Sequence, residues 1–230
     1  MATGPVNNNP YLQQVLFQNL SASNVQPGQL KSSAQLISSA FSAKSGIAAI
    51  SANGAKINNV SQTIRASGNT QAYSGFQAAV SRAGSSNNPL MLVRFSNSAD
   101  FMARSDSAAL TDTFAALGRN SDSGNGSFVD SFNAAFTSTV EKAGAQGLKT
   151  FNQTVAAIEN ADYSGAETTV TQNLQKFFSL VRQVNGQSED SQQANNYLSQ
   201  LAKGVELSED ATQIWNYFND FSGPDPDSIG

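Results

Sequence analysis

The stretch FVDSFNAAFTSTVEKAGAQGLKTFNQTVAAI, residues 128–158, decides the class of fold. Its apolar residues recur every three or four positions and form two successive stripes, first Phe128, Phe132, Ala135, Phe136, Val140 and Ala143, then Leu148, Phe151, Val155 and Ile158. This spacing places the apolar side chains along one side of an α-helix. The stretch therefore predicts helices whose phenylalanine stripes form core rather than line a ligand site.

The same spacing continues on both sides of this stretch. Upstream, one stripe comprises Leu30, Ala34, Ile37 and Phe41, and downstream another comprises Leu174, Phe177, Val181 and Val184. The period-two alternation that is typical of strands is nearly absent. We therefore expect an all-α fold, a compact bundle of about eight to ten helices with disordered termini.

Short polar residues mark the expected helix starts, because their side chains can accept hydrogen bonds from the first free backbone N–H groups. Acids at a helix start are also favoured by the helix dipole, so the adjacent acids in this chain are interpreted as caps rather than as catalytic pairs. The predicted caps are Thr70, Asn88 before Pro89, Ser164 with Glu167, Glu189-Asp190 and Glu209-Asp210.

Turn-forming residues set the expected domain limits. Residues 1–9 are predicted to be a flexible linker, residues 10–222 a helical globular domain, and residues 223–230 a second linker that contains two prolines. Proline lacks the backbone donor that a continuing helix needs. Inside the domain, residues 119–127 are predicted to form a loop and a possible sub-boundary.

The composition is low in charge and rich in neutral polar groups. Only 13% of the residues are charged, the formal net charge is −4, and Ser, Ala, Asn, Gln and Gly together exceed half of the chain. A surface of amides and hydroxyls is soluble but repels its neighbours only weakly. The composition thus favours self-association when the chain is concentrated.

Several functional classes are disfavoured by the residues themselves. Without Cys or His the chain has no disulfide, no zinc finger and no histidine-dependent triad. Its basic residues are scattered, no apolar run is long enough to cross a membrane, and residues 122–126 lack the spaced carboxylates of a calcium loop. We therefore predict a protein that is not an enzyme, with no catalytic, cofactor or metal residues and with neither nucleic acid nor membrane as a partner.

Some stretches resemble the repeat domains of spider silk proteins (spidroins), most closely those of wrapping (aciniform) silk. The resemblance rests on Ala72-Tyr73 followed by Phe76, Ala79 and Ala83-Gly84, and on Ser21-Ala22-Ser23-Asn24-Val25 followed by Leu30 and Leu36. Attachment (pyriform) and egg-case (tubuliform) silks remain alternatives within the family. Poly-alanine runs of the dragline type are missing from the chain.

This resemblance implies a secreted, extracellular structural unit. In such proteins, soluble helical repeats associate with further copies of themselves and convert in part from helix to strand as the fibre forms. Two other hypotheses stay open, a helical carrier that encloses an apolar ligand and a bacterial or phage surface-assembly protein. Tandem copies of this unit in the coding sequence would favour silk, and a single copy would favour the others.

Overall fold

The computed structural model of the chain describes residues 47–86, 88–121 and 125–223. Over these residues the chain forms helices and no strand, which confirms the predicted all-α bundle. The predicted linker 1–9, the predicted stripe from Leu30 to Phe41, and residues 224–230 of the second linker lie outside the described residues. The helices are α1 (Ile47–Ala66), α2 (Thr70–Ser85), α3 (Pro89–Ser105), α4 (Ser107–Asn120), α5 (Gly126–Asn160), α6 (Val170–Gln187), α7 (Ser191–Glu206) and α8 (Ala211–Asp220).

The helix starts follow the expected chemistry in three places. Asn88 caps α3 with Pro89 in its first turn, and Asp190 and Asp210 cap α7 and α8. At α2 the prediction is off by one residue, because Asn69 is the cap and accepts a 2.9 Å hydrogen bond from the backbone N–H of Ala72. Asn and Thr stand side by side there, and Asn is the better cap.

The predicted capping box of Ser164 and Glu167 is wrong. Helix α6 starts at Val170, and its capping box is formed by Thr169 and Gln172. Ser164 instead belongs to a turn, in which its backbone N–H donates to Asp162 Oδ1 at 2.8 Å. Gly165 follows with φ +75°, a left-handed conformation that ends any helical path. The helix therefore begins only after this turn is complete.

Helix α5 reverses direction at Gly144. This residue has φ 62° and ψ −152°, a region that is essentially restricted to glycine. In a straight helix Phe132 and Phe151 would be about 28 Å apart, yet their ring centroids lie 6.4 Å apart. The two arms, 126–143 and 145–160, therefore fold back on each other with one non-helical residue between them.

Helix α5 is the centre of the architecture. Its neighbours are α2, α3 and α4 on the N-terminal side of the sequence and α6 and α7 on the C-terminal side. Helices α1–α4 pack among themselves, as do α6–α8, and α5 makes the principal contacts with both groups. The predicted loop at 119–127 is shorter than expected, since α4 continues to Asn120 and α5 begins at Gly126.

Phenylalanine rings fill the core, as the stripes predict. Phe114 on α4 contacts Phe76, Phe95, Phe132 and Phe136, with centroids 5.3–6.0 Å apart. Further ring contacts continue from α5 through α6 to α8. The rings of α2–α4, of α5 and of α6–α8 therefore form one connected core. Among the described residues the fully buried phenylalanine rings are Phe76, Phe95, Phe114, Phe128, Phe132, Phe136, Phe151, Phe177, Phe178 and Phe218.

Candidate functional site

Ion pairs connect α5 to the helices before it. Each pair joins an arginine of α2, α3 or α4 to a carboxylate of α5, and the hydrogen bond to that carboxylate raises the pKa of each arginine. Because most of these side chains are well exposed, the pairs add little stability. Their main effect is to neutralise charge at the surface. The pairs are Arg82–Asp130, Arg94–Glu141 and Arg119–Glu159.

Asp106 combines a helix cap with an ion pair. Its Oδ1 accepts a 3.0 Å hydrogen bond from the backbone N–H of Ala109 at the start of α4, and its Oδ2 lies 3.1 Å from Lys149 Nζ on α5. The backbone hydrogen bond from Ala109, and then the hydrogen bond from Lys149, lower the pKa of Asp106. The carboxylate therefore stabilises the fold in its ionised form.

This lowered pKa predicts a specific loss of stability in acid. Above the ordinary carboxyl pKa of 3.8, the ionised Asp106 contributes its full stabilisation of the fold. As the pH falls below 3.8 and passes the lowered pKa of the folded state, the carboxylate is protonated and this stabilisation is lost. In Asp106→Asn the side chain can still cap α4, but it cannot ionise. We expect the difference in urea midpoint between the wild-type chain and Asp106→Asn to shrink from neutral pH to about pH 2. A difference that stays constant would contradict this assignment.

The two adjacent acid pairs of the sequence are helix caps of identical design. Asp190 Oδ1 accepts from the backbone N–H of Gln193, and Asp210 Oδ1 accepts from that of Gln213, both at 2.8 Å. In return, Gln193 Oε1 accepts a hydrogen bond from the backbone N–H of Glu189, and Gln213 Oε1 accepts one from the backbone N–H of Glu209. The repeated sequence Ser-Glu-Asp-x-x-Gln, twice in the chain, carries this motif. The carboxylates therefore organise the starts of α7 and α8, as the interpretation as caps predicts.

Buried asparagines join neighbouring helices. Asn133 on α5 donates to the backbone oxygen of Ala79 on α2 at 2.9 Å, and Asn173 on α6 donates to that of Ala211 on α8 at 3.1 Å. Asn185 likewise bridges from α6 to α5 through Thr139 Oγ1 at 3.3 Å. Our sequence analysis missed these residues, although each stands within or beside an apolar stripe. They fix the register of the helices.

Two aromatic side chains of α8 pack against different helices. Tyr217 lies over Gly204 of α7, and its hydroxyl donates to the backbone oxygen of Gln200 at 3.2 Å. Trp215, two residues earlier, lies 6.0 Å from Lys176 Nζ of α6. Burial raises the pKa of Tyr217, consistent with a packed ring. These two side chains serve to dock α8.

The described part of the chain contains no group of three metal-ligating side chains. Within the same residues no helix is sufficiently long and apolar to span a membrane. Residues 122–124, the first three of the weak calcium-loop pattern, lie outside the described residues, and Asn125 caps α5. Comparison with protein-family models, with curated proteins and with solved structures finds no match.

The outer surface of the bundle is the next feature that could take part in interactions. Single apolar side chains emerge from it at Leu90, Phe101 and Leu207, which are 62%, 46% and 74% exposed. Many other exposed positions of the described residues carry small or neutral polar side chains. We call this the neutral surface, and its exposed amides and hydroxyls include Gln71, Gln153, Gln192, Asn196 and Ser199. These side chains place hydrogen-bond donors and acceptors at the surface, while charged side chains such as Arg94, Glu141 and Lys149 occupy other exposed positions.

Proposed function

We propose that this chain is a structural module of a secreted silk-type fibre, a soluble helical unit that associates with further copies of itself. The observation that carries the proposal is the division of the fold into a core of phenylalanine rings and the neutral surface around it. The core keeps an isolated unit folded and soluble. The surface allows many units to approach closely when they are concentrated.

The packing of the phenylalanine rings supports this function over a carrier of apolar ligands. A carrier would direct its apolar stripes at an enclosed ligand. Here the rings of the stripes contact each other. The single ring of Phe132, for example, contacts those of Phe114, Phe136, Phe151 and Phe178. The rings therefore serve as packing for the bundle, which is what a structural module requires.

The helices are also suited to conversion under shear. Their stability depends strongly on tertiary packing, since Ser and Asn are only moderate helix formers. Once the bundle is opened, the Phe, Val and Ile residues of the stripes fit a pleated sheet. Opening by drawing or drying would thus expose segments that can pair as strands between copies.

The test is to concentrate the chain, as a single unit and as a tandem dimer or trimer, and to draw fibres from it. We expect an aligned solid whose amide I band shows less helix and more strand than the solution. A concentrated solution that never forms fibres in any of these formats would refute the proposal.

A matched charge variant makes the test specific. Gln71, Gln153 and Gln192 are exposed and lie on α2, α5 and α7. Their replacement by glutamate adds three negative charges while leaving the core untouched. We expect this variant to fold normally by circular dichroism and to require a higher protein concentration for fibre formation. Equal assembly of the two proteins would show that the neutral surface is not what permits association.

A further inference from the structure

The reversal of α5 depends on a single residue. No loop separates its arms, because only Gly144 departs from helical backbone angles between residues 126 and 160. The residues around it, Glu141-Lys142-Ala143 and Ala145-Gln146, favour helix, and none is proline. If Gly144 adopted helical angles, α5 would be one continuous rod about 52 Å long.

The contacts made across this reversal do not require one chain. Thr113 of α4 precedes Gly144 in sequence and Asn152 follows it, and their side chains lie 2.8 Å apart. The ion pair of Arg119 with Glu159 spans the hinge in the same way. If α5 were straight, the arm 145–160 of a second copy could supply the same partners to α4.

We propose that two copies of this chain exchange the segments that follow Gly144, giving a dimer in which α5 is continuous and residues 145–223 of each copy pack on the first part of the other. The exchange retains the contacts of the monomer and releases both Gly144 residues from their restricted conformation. The exchange is opposed by the entropy that two molecules lose when they associate. The dimer is therefore favoured at high protein concentration. The partner is a second copy, and this inference does not depend on the fibre function.

A disulfide reporter distinguishes exchange from ordinary association. The chain contains no cysteine, so the pair Thr113→Cys with Asn152→Cys is its only source of disulfides. In the monomer the bond closes within one chain, whereas in the exchanged dimer it links two chains and survives as a covalent dimer in denaturing gels. We expect refolding at high concentration to yield covalent dimer and refolding at low concentration to yield monomer.

Gly144→Ala tests the hinge in the reporter background. A Cβ at residue 144 has no atom within 4 Å, so the substitution alters backbone preference without a clash. Alanine disfavours the bent conformation and favours the straight helix. With the reporter cysteines kept reduced, we expect the dissociation constant of the exchanged dimer to fall about tenfold or more.

Gly165→Ala is the matched control. Gly165 also has a positive φ of 75° and open space around its Cβ, but it lies in the turn between α5 and α6, where no continuous helix can form. We expect this variant to remain as monomeric as the reporter chain. If Gly144→Ala stays monomeric, or forms dimers whose disulfides close within each chain, the exchange is refuted. Should Gly144→Ala fail to fold, the concentration series of the reporter chain decides, and intrachain bonds at every concentration refute the proposal.

Discussion

Phe132→Ala is expected to lower the free energy of unfolding by about 3–5 kcal/mol. The Phe132 side chain is 1% exposed. It lies against rings from three helices, with centroids 6.0 Å from Phe114 on α4, 6.4 Å from Phe151 on the second arm of α5 and 5.7 Å from Phe178 on α6. Removing the ring leaves a cavity where these helices meet. Urea denaturation followed by circular dichroism measures the change.

Phe101→Ala provides the control for this prediction. Phe101 lies on α3 and is 46% exposed. Its replacement removes the same atoms but leaves no comparable cavity, so we expect a change within about 0.5 kcal/mol. Equal losses in the two variants would show that the ring of Phe132 does not hold the three helices together. A loss below about 0.5 kcal/mol for Phe132→Ala would place the ring at the surface.

The periodicity of apolar residues was sufficient to predict the class of fold. Leu174, Phe177, Val181 and Val184 lie on one predicted stripe, and all four are buried. Such a pattern reports directly on burial, because side chains three and four positions apart share one face of a helix. It does not report how helices are connected in space.

The reversal at Gly144 shows that limit. A glycine inside a helical pattern is usually tolerated at a modest cost, so Ala143-Gly144-Ala145 gives no turn signal of its own. The stripes on either side could belong to one long helix or to two that pack together. Only the backbone angles of Gly144 decide between these, and they bring the distant rings of Phe132 and Phe151 into contact.

The polar contacts were predictable in part. The acids before α7 and α8 were interpreted as caps, and the hydrogen bonds of Asp190 and Asp210 confirm this. The buried asparagines were missed because Asn is mostly exposed in folded proteins, so the residue type favours the wrong environment. Asn133 is buried because Ala79 of another helix accepts its hydrogen bond, a partner 54 residues away in sequence.

Gly75→Ala is expected to destabilise the fold by about 3 kcal/mol or more, because α2 and α4 touch there through their backbones. A Cβ at Gly75 would overlap the carbonyl oxygen of Phe114 and the backbone nitrogen of Gly118. A Cβ at Gly118 would in turn overlap the carbonyl oxygen of Gln71. The obstructing atoms are backbone, so no side chain can rotate away, and the two helices must move apart along with the core rings between them.

Gly186→Ala is the matched control, and its expected effect has the opposite sign. Gly186 is helical and exposed on α6, and a Cβ there meets no atom within 4 Å. Alanine is the better helix former, so the free energy of unfolding should rise by up to about 1 kcal/mol. Urea midpoints of the two variants, measured side by side, test the close approach of α2 and α4. If Gly75→Ala were as stable as Gly186→Ala, the helices could not be packed backbone to backbone at Gly75, because a methyl group has no room in that arrangement.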